Sequence, residues 1–169
     1  MKNHGLVCAL TCAIAFSVIG IGEADENEKP SSGSSSTTAK KEMPLHEHPT
    51  LVKMLARNNE LRTQSGLIVQ SMSPELCKAA QDHANYMAST QSFSHYVNGS
   101  PESRAEKYGY RGGVRENIAM GYRTVTSAFT GWKNSPGHWA NMTSNTSKAG
   151  FGYAISPSGQ GYWVAMYGN

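Results

Sequence analysis

Cysteine is scarce in this sequence. Of three in the chain, Cys8 and Cys12 fall near the start and only Cys77 lies in its body. No disulfide can therefore close within that body, and a packed core has to hold it. A bilayer-spanning run is also missing: the longest apolar stretch, Gly5 to Ile21, has about 17 residues and is interrupted by Thr11, Ser17 and glycine, where a span needs about 18 to 20. Basic clusters are absent too. The formal charge is +3, with Lys and Arg scattered along the chain. Nothing resembles the positive stripe that tracks a phosphate backbone, which excludes nucleic acid as a partner. There is no internal repeat, and 169 residues suit one domain plus processing segments.

The chain opens with the grammar of a signal peptide over residues 1–24. Lys2 precedes the apolar run, and Gly22 and Ala24 supply small residues three and one before a cut. This predicts export, to the periplasm or outside the cell, with no stable membrane span after cleavage. Ala9-Leu10-Thr11 before Cys12 fits a lipid-anchor site poorly. Residues 25–47 are acidic, then rich in Ser, Gly, Thr and Lys, too polar to offset the entropy of ordering; they read as a linker. His46 and His48 flank Glu47 at its end and read as part of that tether rather than as metal ligands.

Apolar spacing then predicts a helix from about Thr50 to Gln64, with Leu51, Met54, Leu55, Asn58 and Leu61 on one face, Thr50 as its cap and Gly66 past its end. The next helix has a stronger start. Ser73 caps it, Pro74 takes the first helical position, and Leu76, Ala79, Ala80, His83, Ala84 and Met87 recur at helical spacing, with Cys77 beside them as a small buried hydrophobe. Ser100-Pro101 repeats the signal before a short helix that ends at Gly109. Val114 to Met120 reads as a strand, Thr124 to Trp132 as a helix and Asn134 to Gly137 as a turn. Two last strands, Ala149 to Ile155 and Gly161 to Tyr167, flank a turn at Ser156 to Gln160. Helices thus precede a mainly antiparallel sheet.

Three ionisable side chains stand at element ends, beside aromatics and glycines that would shape a cleft. His95 follows the capped helix in Phe93-Ser94-His95, Glu116 enters the strand in Glu116-Asn117-Ile118-Ala119, and His138 is projected by the turn Ser135-Pro136-Gly137. Two imidazoles and a carboxylate have the donor atoms for a divalent metal or for an acid/base pair. Any one of these histidines alone is more often the residue of a structural hydrogen bond. Ser135 lies near His138, but nothing marks the orienting acid and oxyanion hole that a nucleophilic serine needs. Most of the eight tyrosines read as core or sheet-face residues, a type that also lines ligand grooves.

The motifs come in a fixed order: Asn59-Glu60-Leu61-Arg62; Leu76, Ala79-Ala80 and Met87-Ala88; Phe93-Ser94-His95; Gly109-Tyr110; Glu116-Asn117-Ile118-Ala119 with Gly121; Trp132, Ser135-Pro136-Gly137-His138 and Asn141; Gly150-Phe151-Gly152; Gly161-Tyr162-Trp163 and Tyr167-Gly168. Over residues 48–169 the chain resembles the bacterial branch of the CAP superfamily (SCP/TAPS), which includes cysteine-rich secretory proteins, antigen 5 and plant pathogenesis-related proteins. The resemblance implies an α+β domain, a three-layer α/β/α sandwich with a central, mainly antiparallel sheet. It also implies a broad cleft that in many members holds two histidines and two acids able to coordinate zinc or another divalent cation. His95 matches the first histidine, Glu116 the first acid and His138 the second histidine. The second acid is expected three residues after Trp132, where this chain has Ser135. One negative ligand is thus replaced by a hydroxyl, which weakens the implied metal site. The function implied is a secreted, non-catalytic binding module whose cleft takes a divalent ion, a small apolar or lipid-like ligand, or a cell-envelope or extracellular partner. The alternative is a metal-assisted, peptidase-like hydrolase with Glu116 as base.

Overall fold

A side-chain cap and a proline open most of the helices in residues 43–169, which the computed structural model describes. The leader expected at 1–24 and most of the linker expected at 25–47 lie outside the described residues. Leu45–Glu47 forms a single 3-10 turn, with Leu45 packed on the core. Helix α1 (Pro49–Gln64) is then capped by His48, whose Nδ1 accepts from the Thr50 amide at 3.3 Å. The cap therefore sits two residues ahead of the expected Thr50, because Pro49, lacking an N–H, suits the first helical position. Helices α2 (Pro74–Thr90) and α3 (Pro101–Lys107) start on Ser73 and Ser100 as expected, each hydroxyl accepting from an amide three residues on. Helix α4 (Val125–Lys133) opens on a reciprocal Thr124–Ser127 capping box. Asn134 and Ser135 form the first half of the turn expected over 134–137, but Pro136 and Gly137 start a further helix, α5 (Pro136–Met142), so His138 belongs to a helix's first turn.

Strands β1 (Ser71–Met72), β2 (Arg115–Met120), β3 (Lys148–Ile155) and β4 (Gly161–Gly168) form one sheet in the order β1-β3-β4-β2. β4 is the hub, antiparallel to β3 in a hairpin and to β2 on its other side. The unexpected β1 runs parallel to β3 through Ser71↔Lys148 and Met72↔Ala149; two residues are too few to show an alternation. Every residue of β4 is buried. Its side chains alternate between the two faces: Trp163, Ala165 and Tyr167 meet Leu51 and Met54 of α1 and Phe129 and Trp132 of α4, while Tyr162, Val164 and Met166 meet Leu76, Ala80 and Met87 of α2. The result is the expected α+β three-layer sandwich, with helices on both faces of a mainly antiparallel sheet.

Two glycines set how closely α2 lies on that sheet. A Cβ at Gly150 would come within 2.3 Å of the Leu76 backbone, and one at Gly152 within 2.4 Å of the Ala80 backbone. Helix α2 also closes the outer edge of β3: the Phe151 amide donates to Cys77 Sγ at 3.5 Å and the Tyr153 amide to Gln81 Oε1 at 3.1 Å. Burial pushes the Cys77 thiol up to about 11, so it stays protonated and packs as the small hydrophobe expected.

The Asn59-Glu60-Leu61-Arg62 motif turns out to be a structural clamp. Buried Arg62 donates to the carbonyls of Ile68, Met142, Ser144 and Thr146 at 2.8 to 3.3 Å. Asn59 exchanges two hydrogen bonds with the Gln70 backbone at 2.8 and 2.9 Å. Together they tie the end of α1 to the segment that leads into β3, satisfying buried carbonyls that no strand reaches.

Candidate functional site

The three expected residues reach one region from three elements. Helix α2 ends on Gln91 in the left-handed conformation, φ 53°, and the chain turns back through Phe93, Ser94 and His95. That loop is pinned from below by Arg104 of α3, whose Nη1 donates to the carbonyls of His95 at 3.0 Å, Asn98 at 3.4 Å and Gly99. The same guanidinium donates through Nη2 to Glu116 Oε2 at 2.5 Å. Glu116 Oε1 in turn accepts from His95 Nδ1 at 2.8 Å. The His95 side chain is 38% exposed and that of Glu116 1%; the carboxylate lies behind the imidazole and faces it rather than solvent.

A third histidine stands behind this pair. His83 of α2 is fully buried, with Nε2 3.9 Å from Glu116 Oε1 and 3.1 Å from the Ser94 carbonyl. A carbonyl only accepts, so Nε2 carries the proton. Neither Arg104 nor His83 was singled out as a site residue from sequence. The signals were present in weak form: His83 is the one titratable residue in an otherwise apolar helical stripe, and Arg104 shares the buried face of α3 with Pro101 and Ala105.

Burial, outweighing the attraction of Glu116, pushes the His83 pKa down to about 4, with the charges of Arg104 and His95 acting in the same direction as burial. In the unfolded chain the same ring titrates near 6.5. Protons therefore bind the unfolded state first, and the domain loses stability as pH falls from about 6.5 toward 4, by on the order of 3 kcal/mol. Urea midpoints measured at pH 7.5 and 4.5 will show this drop, and His83→Gln, which cannot titrate, will flatten it.

His138 arrives from the opposite layer. Its backbone carbonyl accepts from Asn117 Nδ2 at 3.0 Å, while Asn141 Nδ2 donates to the Glu116 carbonyl at 3.1 Å and to Asn117 Oδ1 at 2.9 Å. These bonds moor α5 to β2. Burial, and then the neighbouring His95, lower the His138 pKa, which keeps that ring neutral at pH 7. Ser135 occupies the N-cap of α5 but, unlike Ser73, Ser100 and Thr124, makes no side-chain capping bond.

His95, His138 and Ser135 line one cleft of about 660 Å³. The loop carrying Phe93 and Tyr96 forms one wall, α4 and α5 the other, and Ile118 to Met120 of β2 the floor. Glu116 supports the cleft from beneath. Exposed apolar side chains gather at this rim: Phe93, Tyr96, Met120 and Tyr122. Tyr122 can lie against α4 because residue 131 is glycine; a Cβ there would come within 2.3 Å of the phenol oxygen. The other tyrosines divide as expected, with Tyr110, Tyr162 and Tyr167 in the core. No carboxylate lines the cleft among the described residues. What the arrangement offers a ligand is an apolar rim, two imidazoles and several hydroxyls, that of Ser135 among them.

The family model for cysteine-rich secretory proteins (CAP) matches residues 55–167. No curated protein matches the sequence. Among solved structures, an outer surface protein from Borrelia burgdorferi is 23% identical with a TM-score of 0.65, over 70% of this chain and 90% of that one. An extracellular protein containing an SCP domain from Bacillus anthracis is 20% identical with a TM-score of 0.64, over 70% of this chain and 39% of that one. A cysteine-rich secretory protein from Staphylococcus aureus is 19% identical with a TM-score of 0.57, over 70% and 38%; this chain thus spans well under half the length of the last two. At these identities the structures show a shared fold. The family model spans two-thirds of the chain, from the middle of α1 into β4, so the chain belongs to the cysteine-rich secretory protein (CAP) family.

Proposed function

We propose that this chain is an extracellular CAP-domain binding module, whose cleft takes a small apolar or envelope-derived ligand against its aromatic rim and holds a divalent ion between His95 and His138. One observation carries the reading. His95 commits Nδ1 to the hidden carboxylate of Glu116, which leaves Nε2 as its only free ring nitrogen, in a cleft shared with a neutral His138. A carboxylate behind an imidazole is the usual support of a metal-ligating histidine. Two imidazole nitrogens fit zinc or a similar borderline cation, with Glu116 serving the ion through His95 and Ser135 adding a neutral oxygen. When bound, the ion would supply positive charge to polarise an oxygen of the ligand. Export is supported by the leader grammar at 1–24 and by two similar structures named as an outer surface and an extracellular protein. Among the described residues no helix is long and apolar enough to cross a membrane.

Calorimetric titration of the exported protein with zinc is the test. His95→Ala and His138→Ala should each abolish binding, and Glu116→Gln should weaken it by about 10- to 100-fold. Protein whose melting temperature moves neither with zinc nor with a fatty-acid probe would refute the reading. A hydrolytic function has one observation in its favour, since a histidine oriented by a buried carboxylate is also the arrangement of a general base. Peptide turnover that disappears in His95→Ala and in His138→Ala would establish it.

A further inference from the structure

The floor of the cleft is the free edge of the sheet. β2 pairs with β4 on one side only, and in an antiparallel pair alternate residues turn both N–H and C=O toward the partner strand. Gly121 donates to the Gly161 carbonyl at 2.9 Å, which makes the odd-numbered positions the bonded ones and turns the backbones of Glu116, Ile118 and Met120 outward. Two of those outward carbonyls are already taken. Asn141 Nδ2 donates to that of Glu116 and Trp132 Nε1 to that of Ile118, each at 3.1 Å, so α4 and α5 seal this part of the edge. Beyond Trp132 the seal ends. Met120 keeps an outward N–H and C=O, is 38% exposed, and lines the cleft beside Ile118, which adds a second outward N–H. Among the described residues neither amide meets an acceptor.

We propose that this edge is the ligand-binding element of the cleft, and that its ligand is an extended polypeptide segment of another molecule, whose backbone pairs with Met120 as a short added strand. The inference rests on the reading of the cleft as a binding site and names the ligand class. An N–H and a C=O side by side on an open edge are matched by another extended backbone, which supplies the complementary pair at the same spacing. The surface continues in the direction of the strand. Past Tyr122, which borders both, lies a second hollow of about 410 Å³ between Arg123, Ile155 and Gln160. A strand advances about 3.3 Å per residue with side chains alternating, so a segment of about six residues would run about 20 Å along this surface, past Tyr122 toward that hollow. No carboxylate lines either hollow among the described residues, while His95 and His138 stand in the first and Arg123 in the second. The matching segment therefore carries apolar side chains for the aromatic rim and a carboxylate for the Arg123 end.

The probe is a library of acetylated hexapeptides passed over the immobilised full chain, beside the same library N-methylated at alternate amides. Retained peptides should be apolar with one acidic group, and methylation in the register that faces Met120 should lower retention about tenfold. Met120→Pro removes the outward N–H while leaving the ladder bonds intact, at the kind of edge position that tolerates proline. It should lower retention at least tenfold, and Met120→Ala, which keeps the amide, by less than about threefold. Should the proline variant lose its melting transition, hydrogen exchange on the unsubstituted protein decides instead, and the Met120 and Ile118 amides should slow at least tenfold with a retained peptide bound. Undiminished retention by a folded Met120→Pro, equal retention of both libraries, or unprotected amides would overturn the pairing. Retention of no peptide by a protein that still binds zinc overturns the pairing alone; failure to bind zinc, fatty acid and peptide alike overturns the cleft reading with it.

Discussion

Replacing Arg104 by alanine should lower the unfolding free energy by about 3 to 5 kcal/mol, the cost of stripping the partner from a buried charge. The Glu116 side chain is 1% exposed, so its carboxylate cannot turn to water when the guanidinium goes. The carbonyls of His95, Asn98 and Gly99 lose their donor in the same change. Lysine will recover little of the loss, since one ammonium cannot span a carboxylate and three carbonyls as a planar fork does. The discriminating measurement is a double-mutant cycle in urea. Arg104→Ala with Glu116→Gln should be less destabilised than the two single losses added together, because the second change removes the charge that the first leaves unpaired. Strict additivity would mean that the two groups do not depend on one another. Zinc or peptide binding should fail in Arg104→Ala even at temperatures where it remains folded, since the loop that presents His95 is then free of its clamp.

The second large effect belongs to the seam between α2 and the sheet. Gly152→Val should cost about 3 kcal/mol or more and Gly152→Ala somewhat less, at the upper end of what overpacking a core usually costs. The atoms in the way are backbone: the Ala80 carbonyl group and the Gln81 amide lie 2.4 Å from the added Cβ. A side chain can rotate aside, but a helix backbone has to lift as a body. Lifting α2 would part Gln81 from Tyr153, where its amide group both accepts at 3.1 Å and donates at 2.8 Å, and would open the packing of Leu76 and Ala80 on Val164 and Met166. Melting curves will register the loss. An unchanged melting temperature for Gly152→Val would mean that α2 does not rest on the sheet at this point.

Much of the secondary structure was legible because its causes are local. Ser73-Pro74 and Ser100-Pro101 cap and start helices through atoms three residues apart. The alternation in the last two strands reflects a pleat with a period of two. The errors were local competitions with a different winner: Pro49 drew the first cap back to His48, and Pro136 began a helix where Asn134 to Gly137 read as a turn. β1 escaped because its pairing partner lies far along the chain in β3. At the site, His95, Glu116, His138 and Ser135 were all singled out from sequence, but their relation was not. The structure sets Glu116 behind His95 as its support, whereas a motif reading treats the two as equal neighbours in a cleft.

By itself the sequence determined the family, the order of elements and the side chains able to do chemistry, because capping, periodicity and ordered motifs are properties of neighbouring residues. Only the tertiary structure decided that Arg104 and His83 hold the site, that Gly150 and Gly152 admit α2, and that the edge of β2 stays open at Met120. Each of these depends on groups from different layers meeting at hydrogen-bond or van der Waals distance. Glu116 meets Arg104 and His95 across 12 and 21 positions of chain, a convergence produced by packing that no local pattern encodes.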